Sequence, residues 1–172
     1  WDLPKIIADE GGWQKRDTSS WFADYTELVM KKFGDRLHSI ATINEPWCAS
    51  WLSHYWGEHA PGIKSLEATA KSMHYILLAH AKSIEVMRGY NHNNLGIVLN
   101  KTCVQPLNFN QENTEAAQLY DNIHNLWFDK AIFKGKYPES VLKIFNRYIP
   151  NNYHEDLKLI SQKIDWLGVN YY

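Results

Sequence analysis

Apolar positions recur at helical spacing over several stretches of the chain. Phe22, Tyr25, Leu28, Val29 and Phe33 predict an amphipathic helix with those side chains on its packed face. Residues 17–20 offer N-caps for it, and Gly34 is placed to close it in the left-handed conformation. Met73, Ile76, Leu77, His80, Ile84 and Met87 predict a longer helix over residues 66–88. Ala116, Leu119, Tyr120, Ile123, Leu126 and Trp127 predict another over 114–132, broken by Gly135-Lys136-Tyr137-Pro138. Shorter helices follow over 138–147 and 153–161.

Short apolar runs of a different kind lie between these helices. Residues 39–43 are rich in β-branched side chains, and 95–99 (Leu-Gly-Ile-Val-Leu) form the unbroken run of a strand covered on both faces. Residues 164–169 predict a further strand, and Trp1-Asp2-Leu3-Pro4 reads as the exit of a strand whose body lies upstream. The order is α/β, with about four parallel strands joined by crossovers long enough for right-handed βαβ units. Each readable strand runs into a polar or aromatic cluster: Asn44 with Glu45, then Asn100, then Asn170 with Tyr172. In a parallel sheet these exits share one rim, where sites are built. An open doubly wound sheet and part of an eight-fold barrel both fit, since complete barrels need about 250 residues.

Asn44-Glu45-Pro46 carries the clearest chemistry. Pro46 disfavours helical dihedrals at Glu45, which predicts extended backbone there and a carboxylate presented at the strand's exit. A Glu beside an Asn suits general acid/base work with a hydrogen-bonding neighbour, and the same residues suit an ordinary turn. His74 and His80 fall on a packed helix side and read as structural. Cys48 and Cys103 match no metal spacing and read as buried free thiols. A formal net charge of -1 gives no electrostatic case for nucleic acid or an anionic membrane. No apolar run approaches the ~20 residues of a spanning helix. Eight Trp and ten Tyr supply core and, where a polar rim adjoins them, faces suited to sugar rings.

Several local motifs, taken together and in order, resemble glycoside hydrolase family one, which contains the β-glucosidases. They are Trp1-Asp2-Leu3-Pro4, Gly11-Gly12-Trp13, Phe33-Gly34-Asp35-Arg36, Thr42-x-Asn44-Glu45-Pro46, His59-Ala60-Pro61-Gly62, Gly135-Lys136-Tyr137-Pro138 and the run from Asp165 to Tyr172. The resemblance implies a (β/α)₈ barrel and retaining hydrolysis of β-glycosides, with residues 1–172 as a single incomplete barrel segment from the exit of strand three through strand six. It lacks the N-terminal and C-terminal strands.

Residue by residue, Glu45 resembles the family's general acid/base, and Asn44 the amide that binds the sugar 2-hydroxyl. Trp1 resembles the Trp of a sugar-binding His-Trp-Asp motif. Asn170 and Tyr172 match positions beside the nucleophile, whose carboxylate the tyrosine hydroxyl contacts, and Asn100 falls on the leaving-group side. Trp47 and the loop at His59 serve as walls or scaffolding there.

The family's nucleophile, a Glu in a Thr-Glu-Asn-Gly motif on strand seven, is expected outside these residues, so the segment alone is expected to be inactive. In the intact mechanism that the resemblance implies, Glu45 is expected to be kept protonated at neutral pH by the neighbouring carboxylate and partial burial. The expected partner is a β-linked saccharide or glycoside, with no nucleic acid, membrane, metal or cofactor, and a cytoplasmic location. A 6-phospho-β-glycosidase or a β-galactosidase fits the same motifs. A non-catalytic sugar-binding remnant, or a subunit completed by a partner, is the reading from another class.

Overall fold

A computed structural model describes residues 2–172. Trp1, the residue matched to the His-Trp-Asp motif, lies outside the described residues. After Pro4 the chain turns directly into a short helix, α1 (Lys5–Asp9), whose Ile7 and Ala8 N–H groups donate to the Pro4 carbonyl. Among the described residues there is therefore no strand at the opening, and the expected four strands become three.

Those three are β1 (Ile40–Asn44), β2 (Leu95–Lys101) and β3 (Trp166–Tyr171), parallel throughout and ordered β1-β2-β3. The helices between them are α2 (Arg16–Phe33), α3 (Leu66–Gly89), α4 (Gln111–Asp121), α5 (Trp127–Lys134), α6 (Glu139–Phe145) and α7 (Tyr153–Ile160). Two π-helical turns interrupt the regular pattern, Cys48–Leu52 after β1 and Asn122–Leu126 between α4 and α5. No helix is long and apolar enough to cross a membrane among the described residues.

β2 is the centre of the sheet. Leu95, Ile97 and Leu99 are buried in the helical core, so alternation turns Gly96, Val98 and Asn100 to the other face. There the Trp166 ring lies over Gly96, where a Cβ would approach it to 2.4 Å, and Gly168 meets Val98. α3 backs the sheet and is buried along most of its length, with Ser65 capping its first turn by accepting from the Ala68 N–H. His80 is fully buried on α3 and shares a 2.6 Å hydrogen bond with Thr42 of β1, while burial lowers its pKa to about 4. His74 is likewise buried and hydrogen-bonded, so both histidines are structural.

α2 has the expected period but a different phase. Tyr25, Leu28 and Phe33 face solvent, and the buried positions are Thr18, Ser19, Thr26 and Met30. Its contact with α3 combines hydroxyls, with Ser19 donating to the Tyr75 carbonyl and Thr26 pairing with Ser83 at 3.0 Å, and Met30 packed among Ile84 and Met87. The helix starts one residue before the anticipated caps, with Lys15 at the N-cap and no side-chain cap bond. Gly34 is right-handed, with φ -55°, and leads into a 3₁₀ turn. A Cβ there would meet only the terminal methyl of the flexible Met30 side chain at 2.8 Å, and the right-handed backbone does not call for glycine. Gly135 is the left-handed cap, closing α5 at φ 60°.

Candidate active site

The exit of β1 is shaped by a backbone irregularity. The register with β2 shifts between Ala41 and Asn44, and the Glu45 N–H extends the ladder by donating to the Val98 carbonyl at 2.8 Å. Glu45 then adopts φ 51°, not the extended backbone expected from sequence. Pro46 disfavours the right-handed region at its predecessor, and the chain turns through positive φ instead. The Glu45 carbonyl can thus accept the N–H groups of Cys48 and Ala49 as the next helical turn begins. A non-glycine residue held here costs roughly 1–3 kcal/mol, a pattern that concentrates at functional sites.

The side chain this turn presents is 8% exposed. Its Oε1 accepts from Asn170 Nδ2 and from the Tyr172 hydroxyl, each at 2.7 Å. Its Oε2 accepts from the Cys48 thiol at 3.2 Å. The Asn170 amide also donates to Asn44 Oδ1 at 3.2 Å, tying β1 to β3 across the rim. Burial pushes the Glu45 pKa up, but the donors from Asn170, Tyr172 and Cys48 outweigh it and hold the carboxyl below its ordinary value. These donors favour an ionised Glu45 in this arrangement, where the neighbouring carboxylate that the expected protonation depends on lies outside the span. Its polar partners are neutral donors, and each favours the charged form.

Asn100 lies on the same rim, paired in register with Asn170. Its amide, however, turns to His124 Nε2 at 3.3 Å and not to Glu45. His124 projects from the π-helical turn between α4 and α5, packs on Trp47 at 4.2 Å between ring centroids, and is kept neutral by burial, with its pKa lowered to about 4. Trp47 in turn meets Trp56 edge-on at 5.4 Å. An aromatic wall thus stands beside the carboxylate. A cavity of about 790 Å³ opens elsewhere, among α4, α6 and α7, lined by Glu115, Lys136, Lys143, Tyr153 and His154 and by none of the rim residues. No group of three or more His, Cys, Asp or Glu side chains is placed to hold a metal ion among the described residues.

The family model described as glycosyl hydrolase family 1 matches residues 1–172, the entire chain. The chain belongs to glycosyl hydrolase family 1. This family 1 chain is 42% identical to a β-glucosidase of Agrobacterium sp. over 173 residues, covering all of this chain and 38% of that protein. Among solved structures, it matches virulence factor SghA in complex with its substrate analog salicin at 42% identity and a TM-score of 0.95, covering 38% of that chain. It matches the family 1 β-glucosidase of Thermotoga maritima in complex with isofagomine lactam at 36% identity and a TM-score of 0.94, covering 39% of that chain. The chain thus spans about two fifths of the length of the relatives it matches. Its three parallel strands and their helices form a segment of the (β/α)₈ barrel of those structures.

Of the residues singled out from sequence, the family 1 fold brings Asn44, Glu45, Asn170 and Tyr172 into one hydrogen-bonded cluster and sets Asn100 beside it. Cys48 and His124 were not anticipated at the site. Cys48 had a readable signal, because three residues on in a helical turn brings a side chain back over its predecessor. His124 had none, since its direction depends on a π-helical turn. Cys103 is free and exposed, contrary to the buried thiol expected, because it lies in the loop beyond β2.

Proposed function

We propose that this chain is the acid/base-bearing segment of a retaining β-glucosidase, a single incomplete (β/α)₈ unit acting on β-linked glycosides in the cytoplasm. Glu45 is its general acid/base. The supporting observation is the position of Glu45: it leaves β1 at positive φ, nearly buried, with its carboxylate cross-linked to Asn170 of β3 and to Tyr172 just beyond it. The unpaired Cys48 and Cys103 suit a reducing compartment.

Retention needs two carboxyl groups about 5–5.5 Å apart, one attacking the anomeric carbon and one protonating the departing oxygen. We assign the protonating role to Glu45 and the attacking role to a residue beyond this span. A second carboxylate at that distance raises the Glu45 pKa by like-charge repulsion, which opposes the three neutral donors and returns the proton to Glu45. After the glycosyl-enzyme forms, the ionised Glu45 deprotonates the incoming water. Asn44 and Asn170 are amides suited to sugar hydroxyls next to the scissile bond. Tyr172 orients the carboxylate pair through its hydroxyl, and Asn100 with Trp47 borders the leaving group.

The test is Glu45→Gln in the full-length protein, assayed on aryl β-glucosides of graded leaving-group ability. Turnover of poor leaving groups is expected to fall by about 10²–10⁴-fold, the usual worth of acid/base assistance. Substrates with dinitrophenyl leaving groups, which need little protonation, lose much less. Equal losses on both would refute the assignment.

A further inference from the structure

Cys48 grips Glu45 twice. Its N–H donates to the Glu45 carbonyl at 3.0 Å, and its Sγ donates to Oε2 at 3.2 Å. The thiol is buried at the start of a π-helical turn, beside Oε2, while Asn170 and Tyr172 both donate to Oε1. We propose that Cys48 is a positioning residue for the acid/base, its thiol fixing Oε2 and so the direction and ease with which Glu45 yields its proton. The inference rests on the acid/base reading of Glu45 and deepens it.

Oε1 is met by Asn170 of β3 and by Tyr172 just beyond it, so among the described residues the donor on the other oxygen is Cys48. A thiol is a weak donor and also a weak acceptor, able to turn as Glu45 alternates between its charged and neutral forms. Burial and the adjacent Glu45 push the Cys48 pKa up to about 12, so the sulfur stays protonated and remains a donor throughout the working pH range. It therefore acts as a neutral donor, not as a nucleophile. Among the described residues, the titratable groups that hydrogen-bond Glu45 are Tyr172, just beyond β3, and Cys48 from the turn; Asn170, the third partner, is neutral. His124, from the helical layer over the turn, meets Asn100 and Trp47 instead.

Removing a donor that favours the carboxylate raises the Glu45 pKa and moves the basic limb of kcat/KM to higher pH. The experiment is the pH profile of kcat/KM on phenyl β-glucoside for the full-length protein and its Cys48→Val, Cys48→Ala and Cys48→Ser variants. The basic limb is expected to rise by about one pH unit in the Val and Ala variants, the size expected for one lost bond to a charged group. The Ser variant, which restores a donor, brings it back. A packing role alone would leave the limb in place, so limbs that superimpose on the parent in both Val and Ala variants overturn the proposal; if Val does not fold, Ala decides. The Glu45→Gln comparison separates the two failures. An unmoved limb with selective loss on poor leaving groups sinks the Cys48 role alone, whereas equal loss on all leaving groups sinks the acid/base reading beneath it.

Discussion

Glu45 and Asp156 are exposed by only 8% and 5%, yet their partners differ in kind. Asp156, on α7, is held by a bidentate Arg16 guanidinium at 2.6 and 2.5 Å and by His74 Nε2 at 3.0 Å. The Tyr137 hydroxyl completes the chain by donating to His74 Nδ1 at 2.8 Å, with its ring stacked on Trp127 at 3.6 Å. Burial pushes the Asp156 pKa up, but Arg16 and His74 overcome this and hold the carboxyl far below the usual carboxylate range. Among the described residues, Glu45 has no cation as a hydrogen-bond partner, and the groups that lower its pKa are neutral donors. A charge locked by another charge is committed to one state. A charge held by amide, phenol and thiol can change state when its surroundings change, as acid/base chemistry requires.

The largest test of this contrast is Asp156→Ala, which leaves Arg16 and His74 without their shared partner beneath α2, α3 and α7. A loss of about 2–3 kcal/mol is expected in urea unfolding of the full-length protein, the cost of leaving the buried His74 N–H without its acceptor, because the Arg16 side chain is 41% exposed and regains water. Acidification comes next. His74, His80 and His124 all have pKa values depressed by burial, so their contribution is complete above the unfolded value of about 6.5 and declines as pH falls below it. Asp156, depressed further, contributes fully above about 3.9 and loses that contribution only as pH falls through its low folded value. Thermal denaturation followed from pH 7 to pH 3 should therefore show an early decline set by the histidines. A decline confined to pH below 4 would show that the histidines are not buried neutral.

Tyr137→Phe removes the hydroxyl that satisfies His74 Nδ1 and should cost about 1–2 kcal/mol, readable as a lower urea midpoint. The smallest effect belongs to Glu45→Gln, which keeps the backbone turn and most of the hydrogen bonds. Its unfolding free energy should stay within about 1 kcal/mol of the parent even as turnover of poor substrates collapses. Comparable stability losses from Asp156→Ala and Glu45→Gln would erase the distinction between the two carboxylates.

The parts of the molecule legible in the sequence are those governed by local pattern. α3 and β2 follow from periodicity and from an unbroken apolar run, and Glu45 follows from a strand that ends at Asn-Glu-Pro. α2 shows where pattern falls short: its period was readable, but hydroxyl pairing with α3 buried Ser19 and Thr26 and left Tyr25 and Leu28 outside. The charge state of Glu45 was not legible, because its decisive donors lie 125 and 127 residues away. The Asp156 lock spans 140 residues to Arg16 and left no local trace. Cys48 is the exception, a nearby partner whose role shows only once the turn is seen to curl back.

The positive φ at Glu45 also bears on how this protein can be improved. Position 45 is one where glycine or asparagine would suit the main chain better than the residue that occupies it. Selection for thermal robustness and selection for turnover therefore pull in opposite directions at a single codon. Engineering aimed at heat tolerance would do well to leave this kink untouched and seek its gains on the far side of the sheet.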